Sequence, residues 1–204
     1  FILGIGGYDG TNSNTAKDVA TAFAEGSGGG GNLKEFKDAV HPDRIGWGTE
    51  GSRADGGSVG IKSVTFGLTN TASSYNTHAE GDTTTASEQN AHSEGFHTTA
   101  SGISAHAEGQ NTAASGTYSH AEGERSQATQ ASAHAEGRDT QATGKYSHAE
   151  GDGTITNNVA EHAEGYYNRS HSTKDGDAQN TLHSIGIGTS MQDRKNAIEV
   201  MQNG

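Results

Sequence analysis

Residues 106–123 read HAEGQNTAASGTYSHAEG, so His106-Ala107-Glu108-Gly109 returns as His120-Ala121-Glu122-Gly123 after 14 positions. Outward from there the phrase holds its spacing, with histidines at His78, His92, His134, His148 and His162. Ala follows each His except at Ser93. Then come Glu80, Glu94, Glu136, Glu150 and Glu164, closed by Gly81, Gly95, Gly137, Gly151 and Gly165. A short period kept without a slip marks a solenoid, in which one coil cannot bury its own face and stacking supplies the core.

Within each period the small residues alternate. Counted from the phrase glycine, position +3 is Thr or Ser (Thr84, Thr98, Thr112, Ser126, Thr140, Thr154) and position +5 is usually Ala (Ala86, Ala100, Ala114, Ala128, Ala142). Positions +10 and +12 are again small, while Gly102, Gly116 and Gly144 stand at +7. Side chains two apart on a strand share a face. Each coil therefore holds two short strands, with corners at the phrase glycine and near +7, and a narrow interior of Ala, Thr and Ser. His and Glu of the phrase project outward from the same strand. At a strand spacing of about 4.8 Å, eight or nine coils make a rod on the order of 40 Å long.

Composition agrees with a thin core. Only 29% of the 204 residues are hydrophobic, against about 45–50% in an ordinary domain. The formal charge of −12 disfavours nucleic acid, which recruits basic surfaces. There is no Cys, hence no disulfide framework and no thiolate metal site. No apolar run is long enough to span a membrane and no signal peptide is visible. The chain opens at Phe1 rather than Met and is expected to be a piece of something longer.

Three regions result. Residues 1–62 are irregular: Phe1-Ile2-Leu3 reads as a strand, residues 15–25 and Leu33–Val40 as short helices, and Gly28–Gly31 as a break. They are expected to cap the first coil, with Trp47 as a lid. Residues 63–186 are the array and 187–204 a closing strand segment. At the head of the array Val64 and Phe66 stand in the His and Glu slots. At its foot, after a seven-residue excess around Lys174–Asn180, Ile185 takes the Glu slot. Apolar residues in outward slots at both ends imply that something covers that face.

The stretch Ser63-Val64-Thr65-Phe66-Gly67-x-x-Asn70-x-Ala72 resembles the S-V-A-I-G-x-x-A-x-A-x-G repeat of YadA-like head domains in trimeric autotransporter adhesins. The central copies keep the spacing with His for Val and Glu for Ile, and the likeness covers about residues 63–186. It implies an all-β, left-handed parallel β-roll assembled as a homotrimer, with the His/Glu strand turned toward neighbouring chains. The His-Ala-Glu-Gly variant is also similar to repeats in tail-fibre and appendage proteins of phages and prophages. The closing stretch from Ile185-Gly186-Ile187-Gly188-Thr189-Ser190 to Arg194-Lys195-Asn196-Ala197-Ile198 looks like the segment that follows them.

The two rows admit three readings. As a trimer interface, the ladder comprises His78, Glu80, His92, Glu94, His106, Glu108, His120, Glu122, His134, Glu136, His148, Glu150, His162 and Glu164, with Val64, Phe66 and Ile185 at its ends. Carboxylates stacked at about 4.8 Å repel by about 3–4 kcal/mol per pair at an effective dielectric near 20, so the expected partners are the histidines. Such pairing raises the His pKa and depresses the Glu pKa, placing greatest strength in mildly acidic solution. As a solvent-facing surface, the ladder merely keeps the sheet soluble. As a metal site, imidazoles around a threefold axis hold Zn²⁺ or Ni²⁺. No His-x-His or His-Glu-x-x-His motif supports that last reading, and neither metal nor cofactor is assigned.

No catalytic residue is assigned either. Ser119-His120 and Ser147-His148 are strand neighbours that face opposite ways, and no nucleophile elbow, P-loop or dinucleotide fingerprint is present. Tyr75, Phe96, His97, Tyr118, Tyr146, Tyr166 and Tyr167 fall at loop positions as possible contacts to a surface glycan or protein receptor. The expectation is a non-enzymatic segment of an extracellular fibre, at a cell surface in the adhesin style, displaying and attaching. The alternatives are a tail-fibre segment on a virion and, from another class, a β-solenoid enzyme acting on polysaccharide.

Overall fold

The computed structural model describes residues 46–48, 51–52, 58–60, 62–172 and 177–203, all within the compact unit Glu35–Gly204. The expected strand at 1–3, the helices at 15–25 and 33–40 and the break at 28–31 lie outside the described residues. Among the described residues every regular element is a strand.

The chain winds as a parallel β-solenoid. A long strand, Ser63–Leu68, starts the array, followed at each turn by His78–Asp82, His92–Phe96, His106–Gln110, His120–Glu124, His134–Arg138, His148–Asp152, His162–Tyr166 and Thr181–Ile187. Between them run two-residue strands from Thr71–Ala72 to Ile155–Thr156. The long strands form one sheet and the short strands a second. Register is exact to the repeat: His106 pairs with His92 and His120, and Glu108 with Glu94. After the seven-residue excess the register resumes, with His183 opposite His162 and Ile185 opposite Glu164.

Polar sequence still folds because the coil interior is tiny and satisfied. Ala79, Ala86, Ala107, Ala114, Ala121 and Ala128 have no exposed surface. Between them lie buried hydroxyls that bond to one another, as Thr140 Oγ1 does to Ser126 Oγ at 2.8 Å and Ser93 Oγ to Thr98 Oγ1 at 2.7 Å. Asn replaces the usual Thr or Ser at +3 in both end coils. Asn70 Nδ2 donates to the Phe66 and Gly81 carbonyls at 2.6 and 2.9 Å, and Asn168 Nδ2 donates to the Ile155 carbonyl at 2.9 Å. The Asn70 amide makes together the two carbonyl bonds that hydroxyls make singly in other coils, as Thr112 does to Glu108 and Ser126 to Gly137, both at 3.1 Å.

The phrase glycine, expected at the corner, lies inside the long strand one residue before its end, and the bend follows at +2. Gly123 has φ +98°, and a Cβ there would lie 2.1 Å from the Gly137 carbonyl oxygen. Two further left-handed positions recur along the coils, at +2 (Thr83, His97, Asn111, Arg125, Asp139, with Gly153 in one coil) and at +9 (Asn90, Ser104, Tyr118, Ser132, Tyr146), on ordinary residues apart from Gly153. Non-glycine residues resist φ > 0. Here the corner N–H groups donate to the preceding coil, His97 to Asp82 and Tyr118 to Ile103, at 2.9 and 2.8 Å. Those bonds hold each corner in place.

Both ends of the long-strand sheet carry an antiparallel strand. Gly46–Gly48 runs along Ser63–Leu68, setting the backbone of Trp47 opposite Val64. Asn196–Met201 runs along Thr181–Ile187, setting Ile198 opposite Ile185 and Val200 opposite His183.

Candidate functional site

Two outward rows stand on the long-strand sheet because strand alternation turns Ala inward and its two neighbours outward. The His row now has eight members, since His183 stacks on His162. From His78 to His183 successive ring centroids lie 4.5 to 4.9 Å apart. The first six of these pairs lie within 7° of parallel. The spacing is simply that of neighbouring strands.

Each imidazole Nε2 faces carboxylates. His106 Nε2 lies 3.8 Å from both Glu94 Oε1 and Glu108 Oε2. His134 and His148 approach opposite oxygens of Glu136 at 3.8 and 3.9 Å. Along the whole row these separations run from 3.3 Å (His78–Glu80) to 4.0 Å (His92–Glu94). The nitrogens are shielded from solvent, yet none makes a hydrogen bond. Most of the distances exceed hydrogen-bond range.

The carboxyls instead bond to each other. A hydrogen bond to Glu108, and then one to Glu80, pushes Glu94 up to about 7. Its bond to Glu108 pushes Glu122 up to about 7 as well, while the same two contacts hold Glu108 below the usual carboxylate range. Further along, Glu136 is raised and Glu150 lowered by their shared bond. The Glu row is thus a chain of proton-sharing acids. The histidines move the other way: burial and the adjacent imidazoles lower His92, His106, His134 and His148, with His134 down to about 4. This reverses the expected sign for those four histidines and for Glu94, Glu122 and Glu136, while Glu108 and Glu150 shift as expected. Stacking the His and Glu of successive coils in register sets like beside like, which disfavours the charged form of His92, His106, His134 and His148 and divides the carboxyls into raised (Glu94, Glu122, Glu136) and lowered (Glu108, Glu150) members.

A groove of about 430 Å³ follows the Glu row past Glu122, Glu136, Glu150 and Glu164, floored by Gly137, Gly151 and Gly165. Glycine leaves it open because nothing larger fits there. Beyond the rows, Val64, Phe66 and Ile185 are half-buried on the same face. Ile198 and Val200 continue the face with 53% and 40% exposure. Those two were not foreseen, since an antiparallel register with bulges cannot be read from a parallel repeat.

The aromatic set is divided between corners. Tyr75, Tyr118 and Tyr146 project from the turn before the long strand, whereas Phe96 and Tyr166 end it; all five are exposed. Phe96 stacks on His97 at 4.1 Å. Tyr167 is engaged within the chain: Arg194 sits 5.8 Å above its ring, which covers Gly153. Ser119 and Ser147 turn inside the coil and donate to the Gly116 and Gly144 carbonyls at 2.7 and 2.8 Å, away from His120 and His148.

One buried acid escaped the sequence reading. Glu161 occupies +10, the place of an interior Ala or Ser, and has no exposed surface. Its Oε2 accepts from the backbone N–H of Asn157 and Asn158, from Asn158 Nδ2 and from Ser170 Oγ, at 2.8 to 2.9 Å. Burial raises its pKa against those bonds. It ties Ser170 to the turn at Asn157 and Asn158 in the last full coil. A charged residue in a small-residue slot was the available signal.

Comparison with protein-family models, with curated proteins and with solved structures gives no match.

Proposed function

We propose that this chain is a non-enzymatic segment of an extracellular homotrimeric fibre, a left-handed β-roll in the style of an adhesin head, whose work is rigid display and attachment to a surface ligand. The observation that carries the reading is the continuous face on the long-strand sheet. Val64 and Phe66 stand at its head, eight stacked imidazoles and a proton-sharing carboxyl row at its centre, and Ile185, Ile198 and Val200 at its foot. Exposed apolar residues gathered on one sheet face mark an association surface. A second copy fits best, because one repeat length on both sides keeps every rung in step. Supporting the display role, Tyr118 and Tyr146 stand on corners outside this face, 66% and 64% exposed.

The test is the mass of the purified chain in solution by light scattering, with cross-links mapped between copies. Three chains linked through the His/Glu strand are expected; a folded monomer ends the proposal. Binding to a glycan array, followed by loss in a Tyr118→Ala, Tyr146→Ala variant, tests attachment separately.

A further inference from the structure

We propose that the His/Glu ladder is a row of transition-metal sites for a divalent ion of the zinc class, with all ligands of each site drawn from one chain. Three groups are formed: Glu80 with His92 and Glu94, His106 with Glu108 and His120, and His134 with Glu136 and His148. Within each group the ligand atoms lie within 4.8 Å of one another. Zinc binds imidazole nitrogen and carboxylate oxygen at about 2.0–2.2 Å, which sets neighbouring ligands of a tetrahedral shell about 3.4 Å apart. His106 and Glu108 stand 3.8 Å apart, as do His134 and Glu136. That is too long for a hydrogen bond and a few tenths of an ångström wider than a shared ion requires.

The second observation is independent of the clustering. Every Nε2 in the row is shut off from solvent and has no hydrogen-bond partner. Buried polar atoms are satisfied as a rule, and a repeated exception asks for a missing partner. An ion between imidazole and carboxylate satisfies both. Adjacent rungs stand too close for every one to hold a dication, and Glu122, between the second and third groups, belongs to none of them.

Because each site lies within a single chain, the inference stands apart from the trimer reading. The full chain, stripped with a chelator, is dialysed against Zn²⁺ alone and its bound metal counted, while light scattering on the same samples reports the assembly. Up to three ions per chain are expected. Glu108→Gln is expected to lose one, as is Glu136→Gln, whereas Glu122→Gln loses none. With Co²⁺ as probe, the visible absorption of a tetrahedral site falls by the same share. Zinc binding that Glu108→Gln and Glu136→Gln both leave unchanged overturns the proposal. So does binding that Glu122→Gln lowers as much as they do, or no binding at all. Circular dichroism of each variant identifies one that has lost its fold, and the remaining variant then decides.

Discussion

Ala121 keeps none of its surface, whereas His120 and Glu122 on either side of it keep 34% and 33% of theirs. One strand thus serves two regions built to opposite standards. The coil interior is finished within one chain: methyl groups meet methyl groups, and interior hydroxyls find a hydroxyl one coil away or a carbonyl in their own coil. The outer face is unfinished, with eight buried nitrogens lacking a hydrogen bond and apolar residues stranded at both ends. Folding can rely on the first region alone, and the second is left for whatever docks or binds.

The strongest way to break this contrast is to disturb the interior side of the coil. Gly123→Ala places a Cβ 2.1 Å from the Gly137 carbonyl oxygen at a φ of +98°, and neither backbone can yield without opening the ladder. A loss of at least about 3 kcal/mol is expected from combined strain and overpacking, read by urea unfolding. A loss below about 1 kcal/mol means that the coils are not stacked as tightly as described.

The outer face is sharpened by the reverse result. Ile198→Asp with Val200→Asp alters two exposed side chains on the closing strand, so the coil keeps its circular dichroism. Burying two carboxylates in an apolar contact is costly. Association is expected to weaken at least a hundredfold, about 2.8 kcal/mol, measured by dilution in light scattering. Equal assembly of variant and parent detaches the apolar ends from the interface.

How far the sequence reaches follows the same division. The coil, its two strands and its Ala/Thr interior were legible because a period of 14 with small residues at fixed places admits one stacking. The seven-residue excess before His183 was legible because the register resumes after it. The corners at His97, Arg125 and Tyr118 were not, since closure of the coil, rather than the residue, imposes φ > 0 there. Nor was the titration of the rows. Pairing His with Glu two positions along the strand looks natural in one coil, but parallel stacking brings Glu94 to Glu108 and His106 to His120. The three-dimensional neighbour outweighs the sequential one.

That reversal has a pH signature. In the unfolded chain a glutamate titrates near 4.3; Glu94 and Glu122 in the fold hold their protons to about 7. Between those values the folded state binds more protons, so these two groups cost stability as pH rises, with the full cost present above about 7. Glu108 and Glu150, held low, act oppositely: their contribution is present above the ordinary value and is lost as pH falls. The lowered histidines withdraw stability as pH drops below about 6.5. Glu94→Gln with Glu122→Gln substitutes neutral amides for the proton-holding acids. At pH 8 the variant is expected to be more stable by about 1 kcal/mol per site, a figure already reduced for solvent screening. Below pH 4.5 the gain should vanish. A variant less stable than the parent at pH 8 would return the row to His–Glu pairing.

The smallest effect is expected where ion pairs look most abundant. Arg125 bridges Glu124 and, 14 residues on, Asp139 through Nε at 2.6 Å and Nη2 at 2.8 Å, and Arg138 repeats the motif with Asp152. Asp139 is held below its usual range by Arg125. These rungs lie beside the phrase corners in open solvent, where two long side chains give up freedom for a screened attraction. Arg125→Gln is therefore expected to leave the thermal melting temperature unchanged at physiological salt, with a small decrease emerging only at low ionic strength. A large drop at high salt would mean that the +2 corner depends on its side chain. It would then be a third kind of region, neither finished like the interior nor open like the ladder.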